Sequence, residues 1–272
     1  MRTFAGKVAV VTGAGSGIGR ALAFALARQG ARLAISDVDL RGLAETEAQV
    51  RALGARCRAD GVDVADRELV LTYAADVSTE FRSVHLVINN AGVSHGGDVQ
   101  GMSFADIERV LNVDFWGVVH GTKAFLPHLI ASGDGTLVNI SSIFGLVPIP
   151  GQSAYAAAKF AVRGFTESLR MEMLIADAPV RVTCVHPGGV KTAIARNGTV
   201  NAGDDPAGNA ELFENRLART SADKAAGLIL RGAALGRPRV FVGWDARALH
   251  MLESMSNRGW QRAVASVFRR QM

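Results

Sequence analysis

The feature that most constrains this chain stands near its beginning. An apolar run, Val8-Ala9-Val10-Val11, enters Thr12-Gly13-Ala14-Gly15-Ser16-Gly17-Ile18-Gly19 and leaves in a helical pattern that starts at Ile18. A short, continuous β-branched run reads as a strand buried on both faces, which is the signature of a parallel sheet covered by helices. The glycines let the backbone turn tightly and approach an anion closely, and the N-terminus of the following helix stabilises negative charge there. The spacing is T-G-x-x-x-G-x-G. It is not G-x-G-x-x-G, because starting that pattern at Gly13 or Gly15 puts Ile18 or Arg20 in its last slot.

The same alternation continues along the chain. Strands are expected at Val8–Thr12, Arg32–Ser36, Ala55–Asp60, Leu86–Asn89, Gly135–Ile140, Val180–His186 and Arg239–Val242. Helices are expected at Ile18–Gln29, Leu40–Leu53, Asp66–Phe81, Phe104–Ala131 and Ala154–Ile175. Regular β-α-β-α order predicts an α/β fold: a doubly wound parallel sheet, one domain with helices on both faces. Residues 1–245 form this domain and 246–272 a basic amphipathic helical tail, with a mobile lid expected near 190–220.

Charge separates the two parts. The net charge is 30 − 25 = +5, yet residues 247–272 alone carry five arginines against one glutamate. The basic excess is a tail property, unlike the striped surface of a nucleic-acid-binding fold, so that class is disfavoured. Leu249, Leu252, Trp260, Val264, Val267 and Phe268 recur at near-helical spacing beside Arg258, Arg262, Arg269 and Arg270. Packing of this stripe on its own subunit or a neighbour is favoured over contact with a membrane surface. Cys57 and Cys184 read as buried thiols; with no metal cluster and no signal-peptide pattern, a cytoplasmic setting is expected.

A dinucleotide explains the glycine turn. The turn and the helix after it would hold the pyrophosphate through Gly13, Ser16, Gly17, Ile18 and Gly19. Asp37 ends the second strand 18 residues after Gly19, close to the spacing of an acidic residue that bonds an adenosine ribose. Its carboxylate would repel a 2′-phosphate, and no cation follows until Arg41, so NAD is preferred to NADP. Asp63 and Val64 after the third strand are candidates for the adenine ring.

A second constellation carries chemistry. Tyr155 and Lys159 stand four apart, one turn along one helix face, and they come from scarce types: two tyrosines and five lysines in the chain. A neighbouring cation favours tyrosinate and lowers a phenol from its usual ~10, which makes Tyr155 a usable acid/base. Asn139-Ile140-Ser141-Ser142 closes the fifth strand, where a hydroxyl could hold a carbonyl or alkoxide oxygen.

With these residues the chain resembles the single-domain short-chain dehydrogenase/reductases, over roughly Gly6 to Thr192 and more weakly to Val242. Matching stretches are Thr12–Gly19, Asp63-Val64, Asn89-Asn90-Ala91-Gly92, Asn112 in Asn-Val-Asp-Phe-Trp-Gly, Ser142, Tyr155, Lys159, and Pro187-Gly188 with Thr192. The resemblance implies a tetrad. Tyr155 is its acid/base, Ser142 orients the substrate oxygen, Lys159 binds ribose hydroxyls and lowers the tyrosine pKa, and Asn112 holds a relay water. It also implies that Asn90, Ala91 and Gly92 line the cofactor and that Pro187, Gly188, Val190 and Thr192 contact the nicotinamide end. On this reading no catalytic position departs from the family pattern.

The longest charge-free span, Gly135–Ala158, then becomes one wall of a pocket whose Ile143, Phe144, Leu146, Val147, Pro148, Ile149 and Pro150 favour a hydrophobic substrate. The expected activity is hydride transfer between NAD(H) and a secondary alcohol or ketone. An NADPH-dependent carbonyl reductase and a catalytically silent NAD-binding scaffold are the alternatives. The family also implies a homotetramer or homodimer built on Phe104–Ala131 and Ala154–Ile175. His95 reads as an exposed loop residue as readily as a pocket one, His186 as structural, Trp116 as core or interface, and Arg109, Lys123 and Glu108 as solvated helix charges.

Overall fold

The computed structural model describes residues 4–192, 194, 197–205, 220–244 and 246. The strands are β1 (Val8–Thr12), β2 (Arg32–Asp37), β3 (Cys57–Gly61), β4 (Leu86–Asn89), β5 (His95–Gly96), β6 (Gly135–Ile140), β7 (Val180–Pro187), β8 (Thr199–Val200) and β9 (Arg239–Val242). The helices are α1 (Gly17–Arg28), α2 (Leu40–Ala52), α3 (Arg67–Phe81), α4 (Phe104–Leu111), α5 (Gly117–Ala131), α6 (Ser153–Ile175) and α7 (Ala222–Ala234). Seven strands form one sheet in the order β3-β2-β1-β4-β6-β7-β9, all parallel. The doubly wound sheet expected from the sequence is present.

Why β1 is apolar throughout is visible in its two faces. Side chains alternate along a strand. Ala9 and Val11 pack into one core with Leu22 and Leu26 of α1, Leu43 of α2 and Ile229 of α7. Val8 and Val10 pack into the other with Val77 of α3, Phe125 and Leu129 of α5 and Leu169 of α6. With helices on both sides neither face can be polar, so all five residues of β1 are buried.

The chain winds from β1 through β2 to β3, then returns to place β4 on the other side of β1. This reversal opens a crevice beyond the carboxyl ends of β1 and β4, where doubly wound sheets hold ligands. Elements bordering it carry the candidate residues.

One helix reads differently from its sequence pattern. The stretch Phe104–Ala131 is α4, then a π-turn at Asn112–Trp116, then α5. A π-turn inserts extra backbone into a helix and re-aims its side chains, and it recurs at functional sites. A small second sheet, β5 paired in parallel with β8, escaped the sequence reading because each strand has two residues. Residues 206–219, inside the expected lid, and 247–272, nearly all of the expected tail, lie outside the described residues. Among the described residues no helix is long and apolar enough to cross a membrane.

Candidate active site

The glycine turn is built by what it excludes. Gly13 has φ +66°, and a Cβ there would lie 2.7 Å from the Ala91 Cα. Asn90 closes the contact from the other side: its Nδ2 donates to the carbonyls of Thr12 at 2.9 Å and Gly13 at 3.1 Å. The turn after β1 and the loop after β4 are thus one packed unit. Ser16 precedes α1 in extended conformation, and its side chain makes no capping hydrogen bond. The first amides of α1 therefore stay open to an anion.

Asp37 sits at the edge of this turn. Its Oδ2 accepts from the Gly15 amide at 2.7 Å and its Oδ1 from the Asp39 amide at 2.9 Å. Arg20 is not available to a ligand phosphate in this arrangement, since it donates to the carbonyls of Gly15 and Gly42 and to Thr46. Thr192 packs against Gly17, where a Cβ would lie 3.1 Å from its Cγ2. Pro187 ends β7 opposite Val242, the Gly188 amide donates to the Val242 carbonyl, and Val190 bridges to Thr220. Asp63 is exposed and accepts from the Ala65 amide at 2.9 Å, while Val64 is buried against Gly117. The shape fits a dinucleotide: an uncapped helix start, a glycine cradle that no Cβ could enter, and a fixed carboxylate at the ribose end.

Ser142, Tyr155 and Lys159 converge at the carboxyl end of β6. Ser142 leads a 3-10 turn at Ile143–Gly145 and accepts from the Phe144 amide at 3.1 Å. Its hydroxyl lowers the Tyr155 pKa slightly. Lys159 is buried one helical turn further on, its Nζ 5.4 Å from the Tyr155 ring centre and donating to the Ile140 carbonyl at 3.3 Å. Behind the serine, the buried His186 Nδ1 pairs with the Ser142 carbonyl at 3.1 Å. Burial drives that imidazole down to about 4, so it stays neutral.

Asn112 does not join them. It is exposed on the π-turn, and the residue beside Lys159 is Asp114. Side chains two residues apart on a helix point to nearly opposite sides, so only one of the pair can face inward. Asp114 is completely buried, with Oδ2 3.2 Å from Lys159 Nζ and Oδ1 accepting from the Val93 amide at 2.7 Å. A carboxylate, and not the Asn112 amide that the resemblance implied, therefore stands beside Lys159. A signal was present in the sequence: a buried lysine needs a counter-charge, and Asp114 is the one acidic residue between Glu108 and Asp134.

Electrostatics follow from this pair. Burial raises the Tyr155 pKa, Lys159 lowers it, Asp114 raises it and Ser142 lowers it, with a net upward direction. The lowering expected from the lysine alone is offset. Burial opposes the Lys159 ammonium, but Asp114 and Tyr155 outweigh it and raise its pKa.

Other expectations shift as well. His95 is buried, with its ring nitrogens 2.7 Å from Thr199 Oγ1 and 3.0 Å from Asn201 Oδ1. Arg109 is not simply solvated, because it donates to Thr199 and to the Ser94 carbonyl. Both tie β8 to the loop after β4. Of the apolar wall, Ile143, Leu146 and Val147 are buried in the packing, which leaves Phe144 and Ile149 partly exposed and Pro148 and Pro150 exposed. Trp116 is half-exposed and stacks on His120.

The sequence profile of the short chain dehydrogenases matches residues 7–202. The chain belongs to the short-chain dehydrogenase family. Within it, SadH of Mycobacterium tuberculosis is 59% identical over 266 residues, covering 98% of this chain and 96% of that one. Cyclohexanol dehydrogenase of Acinetobacter sp. is 36% identical over 194 residues, 70% of this chain and 76% of its own. A short chain dehydrogenase/reductase from Burkholderia phymatum, solved in complex with NAD, superposes with a TM-score of 0.87 at 32% identity, covering 93% and 94% of the two chains. This short-chain dehydrogenase is an oxidoreductase with the family's fold.

Proposed function

We propose that this short-chain dehydrogenase interconverts a hydrophobic secondary alcohol and its ketone with NAD(H). The observation that carries the reading is the convergence of Ser142, Tyr155 and Lys159 beside a glycine turn whose ribose end is fixed by Asp37. NAD, when bound, supplies the hydride acceptor in oxidation, and its reduced form the donor in the reverse direction. All other work falls to the chain.

Gly13 to Gly19 and the start of α1 would hold the pyrophosphate, and Asn90, Ala91 and Gly92 would line the cofactor. Asp63 and Val64 would meet the adenine, and Pro187, Gly188, Val190 and Thr192 the nicotinamide end. Asp37 would accept from ribose hydroxyls and repel a 2′-phosphate. Arg20, engaged by backbone carbonyls, offers that phosphate no cation, which supports NAD over NADP. Ser142 would orient the substrate oxygen while Tyr155 takes its proton during oxidation and returns it during reduction. Lys159 would bind ribose hydroxyls and stabilise the phenolate.

Partly exposed Phe144 leaves an apolar edge beside Tyr155, and the relative named as a cyclohexanol dehydrogenase supports an apolar alcohol as substrate. Exposed Phe104, Leu174 and Ile175 on the ends of α4 and α6 support self-association through these helices. A test is NADH formation across steroids, aliphatic secondary alcohols, diols and aromatic alcohols, run with NAD and with NADP in parallel. Turnover of an apolar secondary alcohol with NAD is expected. Preference for NADP, or NAD binding without turnover of any class, would overturn the assignment.

A further inference from the structure

The Asp114–Lys159 pair differs from every other ion pair among the described residues in its depth. Its side chains are 0% and 3% exposed, respectively, whereas the others have at least one partner open to solvent. Asp114 Oδ2 makes no hydrogen bond and has the ammonium as its charged neighbour, while Oδ1 is held by the Val93 amide. The carboxylate therefore joins three elements of the site: the π-turn that carries it, the loop after β4, and α6. Gly92 adjoins the pair, and a Cβ there would lie 3.3 Å from Asp114 Oδ1 and 3.4 Å from Lys159 Nζ. A residue so placed acts on Tyr155 through the lysine and not on a substrate directly.

We infer that Asp114 is a positioning residue for the reaction: its buried carboxylate fixes the Lys159 ammonium and neutralises it, which holds Tyr155 as the phenol until cofactor and substrate are in place. The inference rests on the acid/base role proposed for Tyr155. An ammonium alone within 6 Å of the ring would pull the phenol towards phenolate in the resting protein. With a carboxylate 3.2 Å away the two charges largely cancel at the tyrosine. Among the described residues, the charged and titratable groups acting on the pair are few: Arg109 from α4 acts on Asp114, Cys184 from β7 and Tyr155 act on Lys159, and the Ser142 hydroxyl acts on Tyr155. None of these supplies a second buried carboxylate.

Two measurements test this. The first uses the unaltered protein without cofactor or substrate, so it stands apart from the proposed activity. The chain has only Tyr73 and Tyr155, and burial pushes Tyr73 far up, so the rise of tyrosinate absorbance with pH, corrected with Tyr155→Phe, reads Tyr155. Titration at or above the ordinary phenol value of about 10 is expected, and titration below it would overturn the inference. The second compares Asp114→Asn, which keeps an acceptor for the Val93 amide and removes one charge. Its tyrosinate titration, and the rising limb of its pH–kcat/KM profile for oxidation, should move down by about one pH unit. A variant that folds and merely loses activity, with both curves unmoved, would reduce Asp114 to a structural role and overturn the inference. Should Asp114→Asn fail to fold, Asp114→Glu, which keeps the charge, and Asp114→Ser, which removes it, carry the same comparison: a downward shift confined to Asp114→Ser is expected, and equal curves would overturn the inference.

Discussion

Asp37 Oδ2 accepts a hydrogen bond from the Gly15 amide at 2.7 Å, which ties the residue ending β2 to the turn following β1. The contact works only because residue 15 is glycine: a Cβ there would lie 2.9 Å from that carboxyl group. The carboxylate proposed to select the ribose and the turn proposed to hold the phosphates are therefore one packed unit.

Replacement of Asp37 by serine should weaken the preference for NAD. Loss of a charge-assisted hydrogen bond to ribose, with the repulsion of a 2′-phosphate removed, is expected to narrow the NAD/NADP ratio of kcat/KM roughly 10- to 100-fold. Initial rates with both cofactors measure it. An unchanged ratio would show that selectivity lies elsewhere.

Tyr155→Phe keeps the ring packed against Phe144 and removes only the hydroxyl. Turnover should fall at least about 100-fold, the usual contribution of a positioned acid/base, while NAD still binds. Rates together with a cofactor-binding titration separate the two effects.

The turn should tolerate no enlargement at Gly19. A Cβ there would collide with the Gly13 carbonyl oxygen and lie 2.6 Å from Asn90 Nδ2, atoms that hold the turn to the loop after β4. Gly19→Ala is expected to cost about 1–3 kcal/mol, as overpacking of a tight site does, and to weaken cofactor binding. Denaturant unfolding reads the first effect. Full stability and normal binding would contradict the packing described above.

His186 makes stability depend on pH in a definite direction. Its folded-state pKa is depressed to about 4 by burial, below the unfolded value of ~6.5. The unfolded chain thus takes up a proton first as pH falls, so this contribution is intact above pH ~6.5 and is lost progressively towards pH 4. The loss amounts to about 3 kcal/mol from the shift itself. His186→Asn keeps a side-chain donor for the Ser142 carbonyl and should flatten the stability profile in this window. The difference between the two unfolding curves against pH is the measurement.

Which parts were legible beforehand follows from the range of the forces involved. Val8–Thr12, the glycine turn and the Tyr155–Lys159 spacing are local patterns, and each appears in the structure as read. The Phe104–Ala131 stretch has an unbroken helical pattern, yet a π-turn divides it, because apolar periodicity does not register one inserted residue. Sequence leaves His95 open between an exposed loop and a pocket because its partners, Thr199 and Asn201, lie more than a hundred positions away.

By itself the sequence determined the alternating strands and helices, the tight glycine turn between β1 and α1, and the helix face bearing the tyrosine and lysine. These depend on backbone sterics and on residues within a turn or two of each other. Only the tertiary structure placed Asp114, and not the expected Asn112, beside Lys159. Two helical neighbours on opposite sides are equivalent until a sheet and a second helix determine which side is inside. Packing also sent Ile143, Leu146 and Val147 into the core and left Phe144 and Ile149 partly exposed. The charge balance around Tyr155 emerged at that same level, because a buried lysine selects whichever carboxylate the fold brings within reach.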